Sequence, residues 1–465
     1  MRRLVAFALL IVLAVAAATV ANQPGTVDIT WQDWEVSSTS IGVLIAAVAV
    51  VAIVLWLIFL LIGSLMRVPG RFRRNRHNRL RRAGERALTR GMIALAAGEA
   101  TLAKRQAQRA QLLLGATPLT LMLLAQAAQF DGDDAAARRH YTALLDGKEA
   151  AFLGLRGLIG QALREGDGDT ALSLAERAHE THPNARWVFE TLFALQARAG
   201  HWEAARETLA GAARRQLLDP TRTEHYHGIV LYELSREAER DGDRRRALSL
   251  AANAQPLIPE LAAPTARHAR LLIGEGRRRA ARRVIQRAWR LAPHPELALV
   301  WSVLGGSAPA LTLVTWFGKL AAQNPISGES AVAVAEAAMA AQLWGEARRH
   351  LGRAIAAHPE GPTRRLCLLM ARLEDSEHPE EGHAREWFDR AVGAPPDPTY
   401  ICARCGGENV EWASLCGHCH GFDTLVWRAP TPPAPRAAVT LPQASATGSL
   451  LSIPDGLAAA GQWDR

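Results

Sequence analysis

The chain has 465 residues, of which 49% are apolar and only 6% aromatic, and its formal net charge is +9. Residues 67–90 hold ten arginines and one acid, Glu85, so this stretch carries the whole charge excess. A protein that coats nucleic acid through a generally basic surface is therefore excluded, and no nucleic-acid partner is expected. Five cysteines in a chain of this length also exclude a disulfide-stapled secreted scaffold.

Two uncharged segments near the N-terminus predict a membrane hairpin over residues 1–66. Residues 4–21 and 41–66 are free of charge for 18 and 26 residues, and about 20 helical residues cross a bilayer. An alternative interpretation of residues 4–21 is a cleaved signal peptide, because Arg2 and Arg3 precede a stretch that ends in small residues.

The arginine-rich segment at residues 67–90 directly follows the second predicted span and leads into the first repeat helix. Pro69 and Gly70 are predicted to end the membrane helix. The loop at residues 22–40 holds three acids and no Lys or Arg. Because basic residues concentrate on cytoplasmic flanks, we expect a multi-pass protein of the bacterial inner membrane with both termini in the cytoplasm. The arginines are also expected to contact anionic lipids.

A repeat of 34 residues indicates that the fold class is all-α over residues 84–396. Similar sequences surround predicted turns at Gly98, Gly132, Gly166 and Gly200, and the pattern resumes at Gly242, Gly276 and Trp344. A mid-unit glycine, an alanine four or five positions later and a terminal proline describe helix–turn–helix units. The period and pattern resemble the tetratricopeptide repeat (TPR), which stacks into a solenoid with a concave groove.

Residues 212–228 and 300–326 break the period, and we predict loops or altered units there. Solenoid grooves bind protein segments, so protein partners are expected. We identify no nucleophile–base pair, no paired carboxylates and no phosphate-binding loop in the sequence. The chain is therefore predicted not to be an enzyme, with no catalytic and no cofactor-binding residues.

Four cysteines near the C-terminus predict a metal site in a zinc ribbon at residues 399–428. Cys402, Cys405, Cys416 and Cys419 have the spacing C-x2-C-x10-C-x2-C, in which two CxxC turns complete a tetrahedron of thiolates. Structural zinc is the expected ion, and iron in a rubredoxin-like site is the alternative. Residues 416–420 also satisfy the CxxCH haem-attachment pattern, but the predicted topology places them in the cytoplasm. Residues 429–465, rich in Pro, Ala, Ser and Thr, are predicted to form a flexible tail.

The N-terminal region resembles the HemY family of bacterial inner-membrane TPR proteins. The segment PGTVDITW (Pro24–Trp31) and the helix RALTRGMIALAAGE (Arg86–Glu99) carry the resemblance, which covers about residues 1–135 closely. It implies an inner-membrane scaffold of haem and porphyrin biosynthesis whose partners include tetrapyrrole-pathway enzymes. A TPR array followed by a two-CxxC ribbon also resembles LapB, a membrane-anchored regulator of lipopolysaccharide synthesis that has one span. The alternative function is therefore a LapB-like adaptor that acts through a membrane protease.

Overall fold

The computed structural model of the protein describes residues 27–31, 34–38, 41–147, 150–380 and 382–430. The chain divides into two compact units, residues 1–94 with 101–123, and residues 95–100 with 124–465. The segment 4–21 lies outside the described residues, as does the predicted tail from residue 431 onward.

The first unit begins with a β-hairpin and a long helix. Strand β1 (Val27–Trp31) pairs antiparallel with β2 (Trp34–Ser38). Helix α1 (Ile41–Ala96) is 56 residues long and continues through Pro69 and Gly70. The prediction that these two residues end the helix is therefore wrong. A proline removes a single backbone hydrogen bond, and the flanking sequence is rich in the good helix formers Leu, Arg and Ala.

Within the described ranges, no helix combines the length and the apolarity that crossing a membrane requires. The two-span hairpin predicted at residues 4–21 and 41–66 is therefore not confirmed.

Glycines on α1 allow close packing against the following helices, α2 (Ala100–Leu114) and α3 (Pro118–Phe130). A Cβ on Gly84 would lie 2.5 Å from Leu114 Cγ, and one on Gly91 would lie 2.7 Å from Leu123 Cδ2. Any larger side chain at either position would push these helices apart.

The second unit is an array of antiparallel helix pairs, so the predicted all-α repeat fold is confirmed. In each pair we call the helix before the turn the first helix and the helix after the turn the second helix, so that α3 and α4 form the first of these pairs. Their bounds are α4 (Asp134–Leu144), α5 (Ala151–Glu165), α6 (Gly168–Thr181), α7 (Arg186–Ala199), α8 (Trp202–Arg214), α9 (Pro220–Arg240), α10 (Arg244–Ala254), α11 (Ala262–Gly274), α12 (Arg278–Leu291), α13 (Pro295–Gly305), α14 (Ala310–Ala321), α15 (Gly328–Ala340), α16 (Trp344–Ala356), α17 (Arg364–Glu377) and α18 (His383–Gly393).

The turn inside each regular pair follows the predicted pattern. Each turn contains a residue with positive φ. The N–H of the next residue donates to the carbonyl oxygen five residues earlier, and this hydrogen bond closes the first helix. The alanine five positions after the turn glycine is fully buried between the helices, where only a small side chain fits. These residues are Gly132 with Ala137, Gly166 with Ala171, Gly200 with Ala205, Gly242 with Ala247 and Gly276 with Ala281.

The two breaks in the period are altered units. Helix α9 has 21 residues, and its start is capped by Asp219, whose side chain accepts a hydrogen bond from the Arg222 N–H. Residues 300–326 hold most of the shorter pair α13 and α14, where the indole rings of Trp301 and Trp316 stack with centroids 4.5 Å apart. The array therefore continues through both irregular regions.

Candidate metal centre

The segment that carries the four cysteines folds as a small three-stranded sheet. Strand β3 (Thr399–Cys402) lies between β4 (Glu408–Asn409) and β5 (Leu425–Arg428), with both neighbours antiparallel. Cys402 ends β3, so the first CxxC turn connects β3 to β4. The second CxxC turn lies between Leu415 and Phe422, which form an isolated antiparallel bridge. The sheet thus brings the two turns, which are separated by ten residues in sequence, to one end of the ribbon.

The four predicted ligands meet. The sulfur atoms of Cys402, Cys405, Cys416 and Cys419 all lie within 4.8 Å of one another. The Sγ–Sγ distance is 3.6 Å for Cys402–Cys419 and 3.7 Å for Cys405–Cys416. Zinc bound to four thiolates at about 2.3 Å requires tetrahedral edges of about 3.8 Å. These two edges match the tetrahedron, and the four sulfur atoms are close enough together to surround one metal ion.

Backbone groups support the sulfurs, as expected for thiolate ligands. The N–H of Cys405 donates to Cys402 Sγ and the N–H of His418 donates to Cys416 Sγ, each at 3.4 Å. The Asn409 amide also donates to Cys416 Sγ, at 3.8 Å. Such bonds fix ligand orientation from outside the coordination sphere.

Glycine is required at one point of close approach beside the first turn. A Cβ on Gly407 would lie 2.5 Å from Cδ2 of His418, whose Nε2 lies 2.9 Å from the carbonyl oxygen of Glu408. This contact connects the second CxxC turn to strand β4. His418 therefore supports the cluster from outside the four sulfur atoms.

The thiols differ strongly in acidity. Burial raises the pKa of Cys402, but hydrogen bonds with the Thr424 hydroxyl and with two backbone N–H groups outweigh burial and lower the pKa to about 6. Burial and the neighbouring thiols raise the pKa of Cys419 to about 12. Four close thiolates repel one another, so a bound cation is needed for all four to ionise together. These residues would hold the ion, which supplies structural cross-linking, because four protein ligands complete the tetrahedron.

The ribbon packs on first helices of the array through one aromatic cluster. The Phe422 ring lies 5.0 Å from Phe193 of α7 and 5.1 Å from Tyr226 of α9, edge-on to both. The Trp412 ring lies 5.2 Å from Tyr232 of α9. Cys402 and Cys416 belong to the same buried cluster, so the metal site is continuous with the core of the array.

Two histidines of the array contact the ribbon. His225 lies 3.0 Å from both Asp423 and Glu260, and these carboxylates overcome its burial and raise its pKa to about 10. Burial lowers the pKa of His294 to about 4. The Nδ1 of His294 accepts from the Glu296 N–H, and its Nε2 lies 3.2 Å from the Tyr400 hydroxyl. One histidine thus contributes an ion pair to the contact and the other a neutral ring.

The comparisons with known proteins find a family match for one region of the chain. Residues 25–132 match the family model described as HemY protein N-terminus. This part of the chain is HemY-like. The match includes both segments that suggested the resemblance, Pro24–Trp31 except for its first residue and Arg86–Glu99. This HemY-like region ends at the turn glycine Gly132, so the rest of the array and the ribbon lie outside it.

A curated relative extends the similarity. The probable magnetosome protein Mms48 of Magnetospirillum gryphiswaldense is 29% identical over 236 residues. The match covers 50% of this chain and 52% of Mms48, so the chain spans about half the length of the curated relative it matches.

Solved helical proteins are similar at low identity. Naa15/Naa10 bound to HypK-THB matches with a TM-score of 0.39 and 14% identity, covering 67% of this chain and 58% of that one. A tetratricopeptide repeat protein from Parabacteroides merdae matches with a TM-score of 0.30 and 13% identity, over 67% of this chain and 99% of its own.

Proposed function

We propose that this chain is a membrane-anchored scaffold that binds protein partners of haem and porphyrin biosynthesis. The observation that carries the proposal is that the HemY-like region, residues 25–132, runs directly into an array of helix pairs. Stacked helix pairs present long continuous surfaces on which protein segments bind. In this proposal the partners perform the chemistry and the scaffold positions them.

The sequence supports attachment to the bacterial inner membrane. Residues 41–66 are uncharged and are followed by the ten arginines of residues 67–90. The charged residues of the segment 22–40 are all acidic. On this asymmetry we base the proposal that the loop lies outside and that both termini lie in the cytoplasm. Alkaline phosphatase inserted within residues 22–40 should be active, and the same enzyme fused to the C-terminus should be inactive. Equal activity of the two fusions would refute the topology.

The metal ion of the ribbon is proposed to be zinc with a structural role. Four cysteine sulfurs at tetrahedral spacing are the usual ligands of structural zinc, and iron with the same ligands is the alternative. The ribbon has few residues from which to build its own core, so metal binding supplies folding energy. Elemental analysis of the purified protein distinguishes the two ions.

The partner surface is proposed to combine the array with the ribbon. The ribbon covers first helices α7 and α9, so a partner at those units contacts the ribbon. Val410 is 93% exposed, and Val426 and Trp427 are partly exposed. Exposed apolar side chains are the part of a surface that a bound partner buries, and tryptophan is among the residue types most enriched at interface anchors.

The experiment that tests the haem-pathway function is gene disruption followed by complementation. Loss of the chain should raise the levels of porphyrin intermediates, measured by chromatography, and the wild-type gene should return these levels to normal. A Val410→Glu variant should lower them only in part. Val392→Glu, at another highly exposed valine on α18, should return them to normal. Normal porphyrin levels after disruption would refute the proposal.

A second candidate function is a LapB-like adaptor that regulates lipopolysaccharide synthesis through a membrane protease. The observation that favours it is the four-cysteine ribbon held against the helical repeats, the combination that suggested LapB. The same disrupted strain discriminates the two functions. Altered lipopolysaccharide with normal porphyrins would support the adaptor, and the reverse would support the haem-pathway scaffold.

A further inference from the structure

Helix α12 carries a concentration of positive charge that the scaffold function does not use. Residues 276–293 contain seven arginines and no acid or lysine. The chain outside residues 67–90 is formally neutral overall, so this local excess of positive charge is balanced by acids elsewhere in the chain. We call Arg279, Arg283 and Arg287 the arginine stripe.

The stripe is a continuous feature of one helix face. Its three residues follow at intervals of four, so their side chains project in nearly the same direction, each about 6 Å further along the axis. All three are exposed. Arg290, which donates to Gln323 Oε1 at 2.9 Å, extends the same face by a further turn.

The stripe arginines have no partner within the described part of the chain, in contrast to their neighbours. Arg282 lies over the Trp316 ring at 5.2 Å, and Arg278 donates to the Leu304 carbonyl oxygen. No ion pair or hydrogen bond from the described residues reaches Arg279, Arg283 or Arg287. Like charges four residues apart on a helix repel one another, so the stripe destabilises the free helix and an anionic surface would relieve that repulsion.

The chemistry of the face favours a lipid surface over other anionic partners. The one aromatic residue of α12, Trp289, is fully buried, so the face offers no ring on which a nucleic-acid base could stack. Between the stripe arginines lie half-buried Ala280, Val284 and Gln286, and such a face lacks the aromatic anchor typical of tight protein interfaces. Leu291 continues the same row at the next interval of four and is 65% exposed. Guanidinium groups that pair with phosphate oxygens, beside one exposed aliphatic side chain and no stacking ring, suit the headgroup region of anionic phospholipids.

We propose that the arginine stripe of α12 is a second membrane contact, which binds the headgroups of anionic phospholipids. The proposal rests on the membrane attachment argued above, because a chain held at a membrane meets lipid at a high effective concentration. The contact would keep the repeat array against the bilayer wherever anionic lipid is abundant.

The test uses the full chain in lipid nanodiscs, with a photo-crosslinking residue in place of Gln286. This position lies on the stripe face between Arg283 and Arg287. One set of discs contains phosphatidylcholine alone, and the other contains phosphatidylcholine with phosphatidylglycerol. We expect lipid adducts in the anionic discs at about tenfold or more the yield in neutral discs, since each arginine near an anionic surface favours binding by about fivefold. The same probe at Ser173, exposed on α6, should give no such difference.

Two matched variants test the charge. The triple substitution Arg279→Glu, Arg283→Glu and Arg287→Glu should abolish the adduct. The triple substitution Arg139→Glu, Arg177→Glu and Arg214→Glu, at exposed arginines of three other second helices, changes the net charge equally and should leave it intact. Circular dichroism confirms that both variants fold.

Three results would overturn the proposal. They are equal adduct yields in the two kinds of disc, an adduct that survives reversal of the stripe, and adducts in native membranes with protein or RNA but not with lipid. If the chain elutes separately from both kinds of disc, the proposed membrane attachment is refuted instead. Adding phosphatidylglycerol vesicles to that free chain would still test the stripe by itself.

Discussion

Phe422 of the ribbon stands edge-on to Phe193 of α7, with ring centroids 5.0 Å apart and ring planes at 89°. The same ring stands edge-on to Tyr226 of α9. Phe422 follows the second CxxC turn by three residues, so the geometry of the metal site decides where this side chain points. We therefore expect metal binding and docking of the ribbon on the array to be coupled.

Removing the Phe422 ring should undock the ribbon. We expect Phe422→Ala to lower the free energy of unfolding by about 3–5 kcal/mol, the usual loss for a buried aromatic side chain, and to speed hydrogen exchange in α9. Chemical denaturation and exchange mass spectrometry measure the two effects. Phe388→Ala is the matched control, because Phe388 is 47% exposed on α18. A loss no larger than that of the control would contradict the coupling.

Removing two ligands should remove the metal. Cys402→Ser combined with Cys405→Ser leaves two thiolates, too few to hold structural zinc, so metal content should fall by about one ion per chain. Elemental analysis of the purified full chain measures this content. Cys367→Ser is the control, since Cys367 is buried outside the cluster and its loss should leave the metal in place. Unchanged metal in the double variant would show that the ligand assignment is wrong.

The His225 ion pairs should make ribbon docking sensitive to alkaline pH. The pKa of His225 is raised to about 10 in the folded chain by Asp423 and Glu260, against about 6.5 in the unfolded chain. Between these values the folded state binds more protons, so stability falls as pH rises. The contribution is complete below about pH 6.5 and is lost by about pH 10.

Thermal unfolding of the wild type and of His225→Gln across this range tests the ion pairs. The stabilisation of the wild type over the variant should be largest near pH 6 and should shrink steadily as the pH approaches 10. His227→Gln changes a neighbouring histidine whose pKa is lowered by burial and by Arg206, and it should follow the wild-type pH dependence above about pH 6.5. A difference between wild type and His225→Gln that does not vary with pH would contradict the assignment.

The helix pairs and the clustering of the four cysteines were predictable because both rest on local rules with a fixed spacing. Gly132 and Gly166 mark turns through their backbone conformation, and the buried alanines follow at a constant distance. The four cysteines are recognisable by their residue type and by their spacing in the sequence. In each case the residues that contact one another lie close in sequence, so a pattern in the amino-acid sequence corresponds directly to a contact in the structure.

Docking of the ribbon could not be predicted in the same way. The pair His225–Asp423 joins residues 198 positions apart, and neither residue has a sequence signal for the other. His294 has the appearance of a turn residue, yet it is buried and contacts Tyr400 of the ribbon. Helix α1 continues through Pro69 because the long helix-forming sequence on both sides outweighs one local breaker.

The turn at Gln342 offers a stabilising substitution. Gln342 has a φ of 55° and stands where the regular units have glycine, and the following N–H, of Leu343, bonds to the Ala338 carbonyl oxygen at 2.9 Å. The buried alanine five positions later, Ala347, is also present. This unit therefore makes the regular turn with a residue that disfavours the left-handed conformation by about 1 kcal/mol or more.

We expect Gln342→Gly to raise the free energy of unfolding by about 1 kcal/mol, because the exposed Gln342 side chain makes few contacts that the change would remove. Urea denaturation of the full chain measures the gain, and exchange mass spectrometry of α15 and α16 locates it. The reciprocal change Gly200→Ala, at a turn glycine with a φ of 75°, should be destabilising by about the same amount. A Gln342→Gly variant less stable than the wild type would show that the side chain, and not the backbone conformation, determines stability at this turn.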